Sequence, residues 1–430
     1  MKPPYEVPSM KEIADIRGTN GYKVVSTFSG CGGSCLGLEM AEFEIVFASE
    51  FVQEARDTYE LNHPGVHIDG RDVREVSADS ILETIGMKVG ELDVLEGSPP
   101  CAAFSTAGKR EEGWGKVKNY SETTQRSDDL FFEYARLLAG LQPKVFIAEN
   151  VSGLVKGSAK GYFKMILAAL KKCGYQVEAK LLDASWLGVP QARQRLIFQG
   201  VRNDLNTKPQ WPTPFEHRYS IRDACPWITN HGMKKRGFEK IEELNGNTQQ
   251  INIDKPSDTI LAGGYSGSTF HDSILEPPAG ELTPLELEEA IKDQGTIWYE
   301  WLVANGHPEA PPEEVHFADI RKHAIGREWY RLRRGNQSSK YFNLVRADAD
   351  KPVGTITQLS GQAGIAGITH PSEPRKFTIP EVRRLCSFPD DFELTGNFQQ
   401  RWERLGRSVP PLMMRAVGEQ IRNMLDEING

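Results

Sequence analysis

Short apolar runs that alternate with helical segments place the strongest constraint on the fold of this chain. The runs cover residues 22–28, 45–49, 66–69, 92–96 and 144–148, and a glycine or an acidic residue follows each run within two positions. Segments of helical character, such as residues 53–61 and 127–140, lie between them. This alternation predicts an α/β fold with a doubly wound, mostly parallel sheet. Sheets of this kind bind ligands at the carboxyl ends of their strands.

Composition excludes several classes of protein. The chain has 430 residues, of which 39% are hydrophobic and 26% charged, so it is expected to form two or three domains. A net charge of −8 argues against wrapping nucleic acid over the whole surface, although it allows a local basic cleft. The six cysteines form no CxxC pair, and no signal peptide or membrane-length apolar run is present. We therefore expect a reduced cytoplasmic protein without a membrane segment or a bound metal.

Cys101 follows the predicted strand at residues 92–96 and two prolines that fix the backbone. A single cysteine is more often a small buried hydrophobic residue than a nucleophile. Glu149, however, ends the run at residues 144–148 on the same edge of the sheet. Arg193 and Arg195 alternate in an extended segment and are expected to share one face. The pattern thus favours a site in which these side chains meet.

A glycine-rich turn follows the first strand. Residues 29–33 read Ser-Gly-Cys-Gly-Gly and lead into a helix, an arrangement that brings backbone amides close to a nucleotide-like ligand. Tight turns need glycine in any case, so the turn alone is weak evidence. Glu50, about twenty residues later, is suited to bind both hydroxyls of a ribose. Asp72 could accept a hydrogen bond from an adenine amino group.

The character of the sequence changes near residue 206, where aromatic residues, prolines and charges replace the long apolar runs. We expect a first domain over residues 1–205, a smaller second domain over 206–374, and a last segment, 375–430, that returns to the first domain. The second domain repeats one phrase, Asp254–Ile260 and Asp350–Ile356, and carries a run of arginines interleaved with aromatic residues. Such a run suits phosphate contacts, although charge runs are more often only solvated.

Eight stretches of this sequence resemble the motifs of the DNA (cytosine-5)-methyltransferase family. They occur in the order of the family and extend over almost the whole chain after residue 21. The stretches are Phe28–Gly33, Glu50, Asp72-Val73, Gly97–Cys101, Glu149–Val151, Gln191–Arg195, Arg384–Asp390 and Gly406–Pro411.

The resemblance implies a catalytic mechanism. Cys101 would add to carbon 6 of cytosine, Glu149 would bind or protonate ring nitrogen 3, and Arg195 would hold the exocyclic oxygen. Arg193 would favour the thiolate and the developing negative charge. Because these atoms are inaccessible in a stacked duplex, the target base must flip out, and the polar loop 106–126 is expected to close behind it.

The resemblance also implies a cofactor and partners. S-adenosylmethionine would bind to Phe28, Gly30, Gly32, Gly33, Glu50, Phe51, Asp72, Val73 and Pro99, with Arg407 and Ser408 beside the methyl donor. Double-stranded DNA would contact Lys109, Arg110, Arg331, Arg333, Arg334 and Gln358. We expect a monomer that modifies DNA in a restriction-modification setting, with a companion restriction endonuclease.

Two residues depart from the family pattern. Ala102 replaces the glutamine that usually follows the catalytic cysteine, and Arg407 replaces an asparagine beside the methyl donor. A guanidinium about 4 Å from a sulfonium costs about 4 kcal/mol at an effective dielectric constant near 20. Arg407 could point to solvent or a DNA phosphate, could pair with a carboxylate of the pocket or of the cofactor's methionine end, or could select an anionic donor such as carboxy-S-adenosylmethionine. The last possibility would make the product 5-carboxymethylcytosine.

Two further functions stay open at this point. A relative of the family applies the same chemistry to transfer RNA, although the sizeable second domain favours duplex DNA. A catalytically silent homologue that only binds DNA is the other alternative, and the presence of Cys101, Glu149 and Arg195 argues against it.

Overall fold

The computed structural model describes residues 2–100, 117–120, 123–126, 129–156, 159–228 and 318–430, with the backbone alone described for 117–126. The strands are β1 (Lys23–Thr27), β2 (Glu44–Ser49), β3 (His67–Asp69), β4 (Val94–Gly97), β5 (Val117–Tyr120), β6 (Thr123–Arg126), β7 (Val145–Val151), β8 (Tyr175–Asp183), β9 (Gln191–Ala192), β10 (Gln194–Arg202), β11 (Val345–Arg346), β12 (Val353–Gly354) and β13 (Ile368–Thr369). The helices are α1 (Met10–Ile16), α2 (Gly33–Met40), α3 (Gln53–Asn62), α4 (Ala78–Ile85), α5 (Leu130–Leu141), α6 (Lys160–Lys172), α7 (Ile221–Ala224), α8 (Ala324–Trp329), α9 (Ile379–Leu385), α10 (Phe398–Arg407) and α11 (Pro411–Asn429).

A seven-stranded sheet forms the centre of the molecule. Its strand order is β3-β2-β1-β4-β7-β10-β8. The first five strands are parallel, whereas β10 is antiparallel to both of its neighbours. The prediction of a mostly parallel sheet is therefore confirmed.

Helices cover both faces of this sheet. Val25 and Leu95 face a core shared with α4, α5 and α6, whereas Val24 and Val94, one position earlier in each strand, face a core shared with α2, α3 and α11. Successive side chains of a strand point to opposite faces, so both faces of these strands must be apolar. This explains why the strands appear in the sequence as unbroken apolar runs.

The last helix, α11, packs closely against α2. A side chain at Gly37 would lie 2.4 Å from the Pro411 carbonyl oxygen and 2.7 Å from Met414 Cβ. Only glycine permits this approach, so the position explains why α2 carries a glycine in its interior. Residues 375–430 thereby contribute to the core beneath the first glycine turn.

The described residues of the predicted second domain form short elements. Ile320, Ile325, Trp329 and Leu344 form a small core of their own. Strand β12 pairs with β9, and thereby joins this unit to the segment that leads into β10. The first copy of the repeated phrase, residues 254–260, lies outside the described residues. Within the predicted polar loop 106–126, β5 and β6 pair as antiparallel strands.

Candidate active site

The glycine turn after β1 has a backbone that requires glycine at one position above all. Phe28, Gly30 and Gly32 have φ angles of 56°, 58° and 91°. A side chain at Gly32 would lie 2.1 Å from His63 Nε2. His63 is itself buried against α2, where its Nδ1 lies 3.0 Å from Glu39 Oε2. The packing of His63 against Gly32 therefore fixes the conformation of the turn.

Glu50 lies across this turn, after the end of β2. Its two carboxylate oxygens accept hydrogen bonds from the backbone N–H groups of Gly30 and Val52, each at 2.8 Å. Burial raises the pKa of Glu50, while these two N–H groups and the positive charges of Arg407 and Arg56 oppose the rise. The backbone thus orients the carboxylate and leaves oxygen lone pairs for further donors.

The chemistry of the turn fits S-adenosylmethionine. Among the described residues, no atom lies within 4 Å of the position that a side chain at Gly30 would take, so they leave the turn open on one side beside the Glu50 carboxylate. A carboxylate with remaining acceptor capacity suits ribose hydroxyls. Phe28 and Phe51 are half-buried near the same strand ends, where they could contact the ring of a nucleoside.

The other predicted nucleoside residues lie at the ends of β3 and β4. Asp72 accepts a hydrogen bond from the Arg74 N–H at 3.0 Å and pairs with Arg74 Nη1 at 2.9 Å. Val73 and Pro99 are buried. The contacts of Asp72, Val73 and Pro99 with a nucleoside stay predictions. The hydrogen bonds described for Asp72 join it to Arg74.

The segment after α10 contacts the glycine turn directly. A side chain at Gly33 would lie 2.5 Å from the Val409 carbonyl oxygen and 3.1 Å from Ser408 Cβ. The Ser408 hydroxyl donates to the Leu405 carbonyl at 2.8 Å and closes the end of the helix. Arg407 and Ser408 therefore lie next to the turn.

Arg407 has a negative partner on its own helix. Its Nη2 atom lies 2.7 Å from Glu403 Oε1, one helical turn earlier. Its positive charge is also close enough to Glu50 to affect the pKa of that residue, as described above. Arg407 thus pairs with a carboxylate of its own helix, and its three interpretations stay predictions.

Glu149 and Arg195 lie on neighbouring antiparallel strands and form an ion pair. Arg195 Nε is 2.5 Å from Glu149 Oε1, and both side chains are nearly buried. Burial lowers the pKa of Arg195, and the negative charge of Glu149 opposes that change. The two groups predicted to act on the base are thus in direct contact.

Arg193 has different partners from Arg195. The strand is interrupted between β9 and β10, and the fully buried Arg193 donates to the carbonyl oxygens of Ile356 at 2.8 Å and Gly406 at 3.0 Å. The expectation that both arginines lie along one continuous strand is therefore corrected. Burial, with the charge of Arg195, lowers the pKa of Arg193 to about 9.

A hydrogen bond joins the end of β4 to the end of β7. Asn150 Nδ2 donates to the Pro99 carbonyl oxygen at 3.2 Å. Asn150 directly follows Glu149, and Cys101 is two positions after Pro99 in the sequence. Cys101 itself, together with Lys109 and Arg110, lies outside the described residues.

Glu96 is a buried acid that the sequence did not single out. It lies on β4, where its Oε2 accepts from Ser26 Oγ at 2.6 Å. Burial raises the pKa of Glu96 to about 7, bonds from Ser26 and Ser34 oppose the rise, and the charge of Glu149 adds to it. The sequence signal that could have identified Glu96 is an acidic residue at the end of the apolar run 92–96.

The predicted DNA contacts lie in two loops. Arg331 and Arg333 are exposed and Arg334 is half-buried, all in the loop after α8. Gln358 is exposed in the loop after β12 and lines a groove with Trp402 and Asn397 at α10. The structure therefore brings the three arginines together and leaves Gln358 on a separate loop.

Two features are missing from the described ranges. No group of three or more His, Cys, Asp or Glu side chains there could hold a metal ion. None of the helices there is both long and apolar enough to cross a membrane.

The strand order, the glycine turn and the acid at the end of β2 define the fold of S-adenosylmethionine-dependent methyltransferases. The model of the family described as C-5 cytosine-specific DNA methylase matches residues 22–423. The chain belongs to this family, and it is a DNA cytosine-5 methyltransferase.

Individual relatives are similar over nearly the full chain. The type II methyltransferase M.Sau96I of Staphylococcus aureus is 27% identical over 425 residues, which cover 99% of this chain and 81% of that protein. M.NgoPII of Neisseria gonorrhoeae is 26% identical over 415 residues, 95% of this chain and 97% of that protein. A crystal structure titled as a prophage-encoded DNA modification methyltransferase of E. coli has a TM-score of 0.61 at 21% identity and covers 94% of this chain and 99% of that chain. This last likeness concerns the fold.

Proposed function

We propose that the protein methylates carbon 5 of cytosine in double-stranded DNA, with Cys101 as the nucleophile. The observation that carries this proposal is the bond between Asn150 and the Pro99 carbonyl. It ties the chain just before Cys101 to the residue that follows Glu149. The end of β4, which Cys101 follows in the sequence, is thus adjacent to the end of β7, where Glu149 lies.

The base-binding chemistry follows from three side chains. Cys101, as a thiolate, forms a bond to carbon 6, and the electrons of the 5,6 double bond move to carbon 5. Glu149 hydrogen-bonds or protonates ring nitrogen 3 and accepts part of the charge. Arg195, which pairs with Glu149 in the protein, donates to the exocyclic oxygen when the base enters.

S-adenosylmethionine would supply an electrophilic methyl group to carbon 5 and would leave as S-adenosylhomocysteine. Glu50 holds the ribose hydroxyls, and Phe28, Gly30, Gly32, Gly33, Phe51, Asp72, Val73 and Pro99 line the nucleoside pocket. A water molecule then takes the proton from carbon 5, the electrons of that C–H bond re-form the 5,6 double bond, and Cys101 leaves carbon 6 as a thiolate. We assign Arg193 a supporting role, because it fixes the backbone of residues 406 and 407.

The proposed division of labour places catalysis in residues 1–205 and 375–430 and sequence recognition in residues 206–374. The loop from Arg331 to Lys340 supports DNA contact, because no acidic residue lies between residues 329 and 347. Phe342, in the same basic stretch, is 74% exposed. Lys109 and Arg110 would add phosphate contacts from the loop that closes over the base.

The names of the bacterial relatives suggest the biological setting. Because both are type II methyltransferases, we propose that this chain protects cytoplasmic DNA from a companion restriction endonuclease. The recognised sequence would then be the site that this endonuclease cuts.

Arg407 favours a second candidate, transfer from carboxy-S-adenosylmethionine. A guanidinium beside the donor pocket could bind the additional carboxylate. Glu403, however, already places a negative charge 2.7 Å from that guanidinium. The methyl donor is therefore the first proposal.

The test is to expose DNA to the protein with each donor, map modified cytosines by bisulfite-type sequencing and measure the product mass. We expect 5-methylcytosine at one recurring sequence and loss of the modification with Cys101→Ser. A carboxymethyl product would establish the second candidate. A preference for transfer RNA in a competition assay, or a parent protein with no transfer at all, would overturn the proposal.

A further inference from the structure

Helix α10 carries a pair of opposite charges at the edge of the donor pocket. Glu403 and Arg407 are one turn apart, and Ser408 and Val409, the next residues, touch the glycine turn at Gly33. Glu403 therefore lies outside the motif Gly406–Pro411, but it is linked to the pocket through its ion pair with Arg407.

The pair is partly withdrawn from water. The side chain of Glu403 is 18% exposed and that of Arg407 is 32% exposed, so solvent screens their charges only in part. Ser408, the next residue, lies beside Gly33, and the charge of Arg407 opposes the rise in the pKa of Glu50, so this charge lies near the glycine turn. A cationic sulfonium in that pocket would experience the same charge.

Three other arginines near the pocket bind the backbone. Arg56 donates to the carbonyl oxygens of Glu50 and Phe51, and Arg404 donates to the Glu54 carbonyl, so these cations bind backbone oxygens. Arg193 fixes the backbone at residues 406 and 407. Because Arg193 holds the backbone here, a substitution of Glu403 is expected to affect the Arg407 side chain and to leave the backbone in place.

We propose that Glu403 is a positioning residue that holds and neutralises the Arg407 guanidinium, so that a positively charged donor can bind beside it. This inference rests on the proposed function, because it takes the donor to be S-adenosylmethionine. It makes Glu403 a determinant of donor affinity that acts through charge.

The experiment compares the binding of S-adenosylmethionine and S-adenosylhomocysteine, which differ by the methyl group and the positive charge on sulfur. Isothermal titration calorimetry on the full chain measures both dissociation constants. In Glu403→Gln, we expect affinity for S-adenosylmethionine to fall about tenfold and affinity for S-adenosylhomocysteine to change less than about twofold.

Two further variants separate charge from structure. The double variant Glu403→Gln/Arg407→Gln should regain the wild-type ratio of the two affinities, because no guanidinium is left to neutralise. Glu419→Gln removes the acid of the Arg415–Glu419 pair, which has the same spacing and a distance of 2.9 Å but is more exposed. This control should leave the ratio unchanged.

Equal weakening of both ligands in Glu403→Gln would overturn the inference, since that is the result of a general structural loss. An unchanged ratio would overturn it as well. A wild-type protein that binds neither nucleoside would instead count against the proposed function. The two failures can therefore be told apart.

Discussion

Gly32 shows how one residue of the turn is fixed by steric limits. Its φ of 91° is unfavourable for side chains, and His63 occupies the space where a Cβ would lie. We expect Gly32→Ala to lower the free energy of unfolding by about 3 kcal/mol or more, measured by urea denaturation. Gly65→Ala is the matched control: its φ is 87°, but no atom of the part of the chain that the structure describes lies within 4 Å of the added Cβ, so it should cost only about 1–2 kcal/mol. Similar losses in both variants would contradict the role of His63.

Glu96 predicts a pH dependence of stability. Its pKa of about 7 in the folded protein exceeds the ordinary value, so the folded state holds this proton more tightly than the unfolded state. The contribution is complete below about pH 4 and is lost as the pH rises through 7. Glu96→Gln removes this loss, so the stability of the variant relative to wild type should rise by about 3 kcal/mol between pH 4 and pH 8. If urea denaturation gives the same difference in free energy of unfolding between variant and wild type at pH 4 and pH 8, this prediction is wrong.

Arg193 acts at the scale of elements, because it joins the start of β10 to residue 356 and to the end of α10. Arg193→Met should lower the free energy of unfolding by about 3 kcal/mol, since buried carbonyl groups lose their donor. It should also weaken S-adenosylmethionine binding, because Arg193 fixes the backbone of residues 406 and 407, which directly precede Ser408 and Val409 beside the glycine turn. Calorimetry measures the binding.

Arg202→Met provides the comparison for Arg193. Arg202 lies at the other end of β10 and donates to the carbonyl oxygens of Gly90 and Gln142. This variant should lose stability but keep its donor affinity. Equal binding losses in the two variants would contradict a specific effect of Arg193 on the donor side.

These elements also show what the sequence could predict. The strands and the turn follow from local patterns. Glu50 is a candidate from the sequence because it directly follows a predicted strand about twenty residues after the glycines. The partners of Arg193 are 163 and 213 positions away, so no local pattern could reveal them or the interruption before β10. The Glu403–Arg407 pair has a helical spacing, but helix α10 itself was not predicted, and so the pair was missed.

At the scale of the whole molecule, the net charge is −8, yet the loop from Arg331 to Lys340 is basic. The Ser338 hydroxyl accepts from the N–H groups of Lys340 and Tyr341, each at 3.0 Å, and donates to Glu328. The loop is thus held in one shape while Phe342 stays exposed. An anchored loop of this kind can present positive charge to DNA although the protein as a whole is acidic.

This arrangement predicts that charge and apolar contact contribute separately to DNA binding. Arg333→Ala should weaken binding and reduce the slope of log affinity against log salt by about 1, because one phosphate contact is lost. Phe342→Ala should weaken binding with the slope unchanged, since an aromatic contact releases no counterions. Fluorescence anisotropy over a salt series measures both, with Met165→Ala, which removes a 57% exposed side chain on α6, as the control. If Phe342→Ala alters the slope, or Met165→Ala weakens binding equally, the loop does not contact DNA in this way.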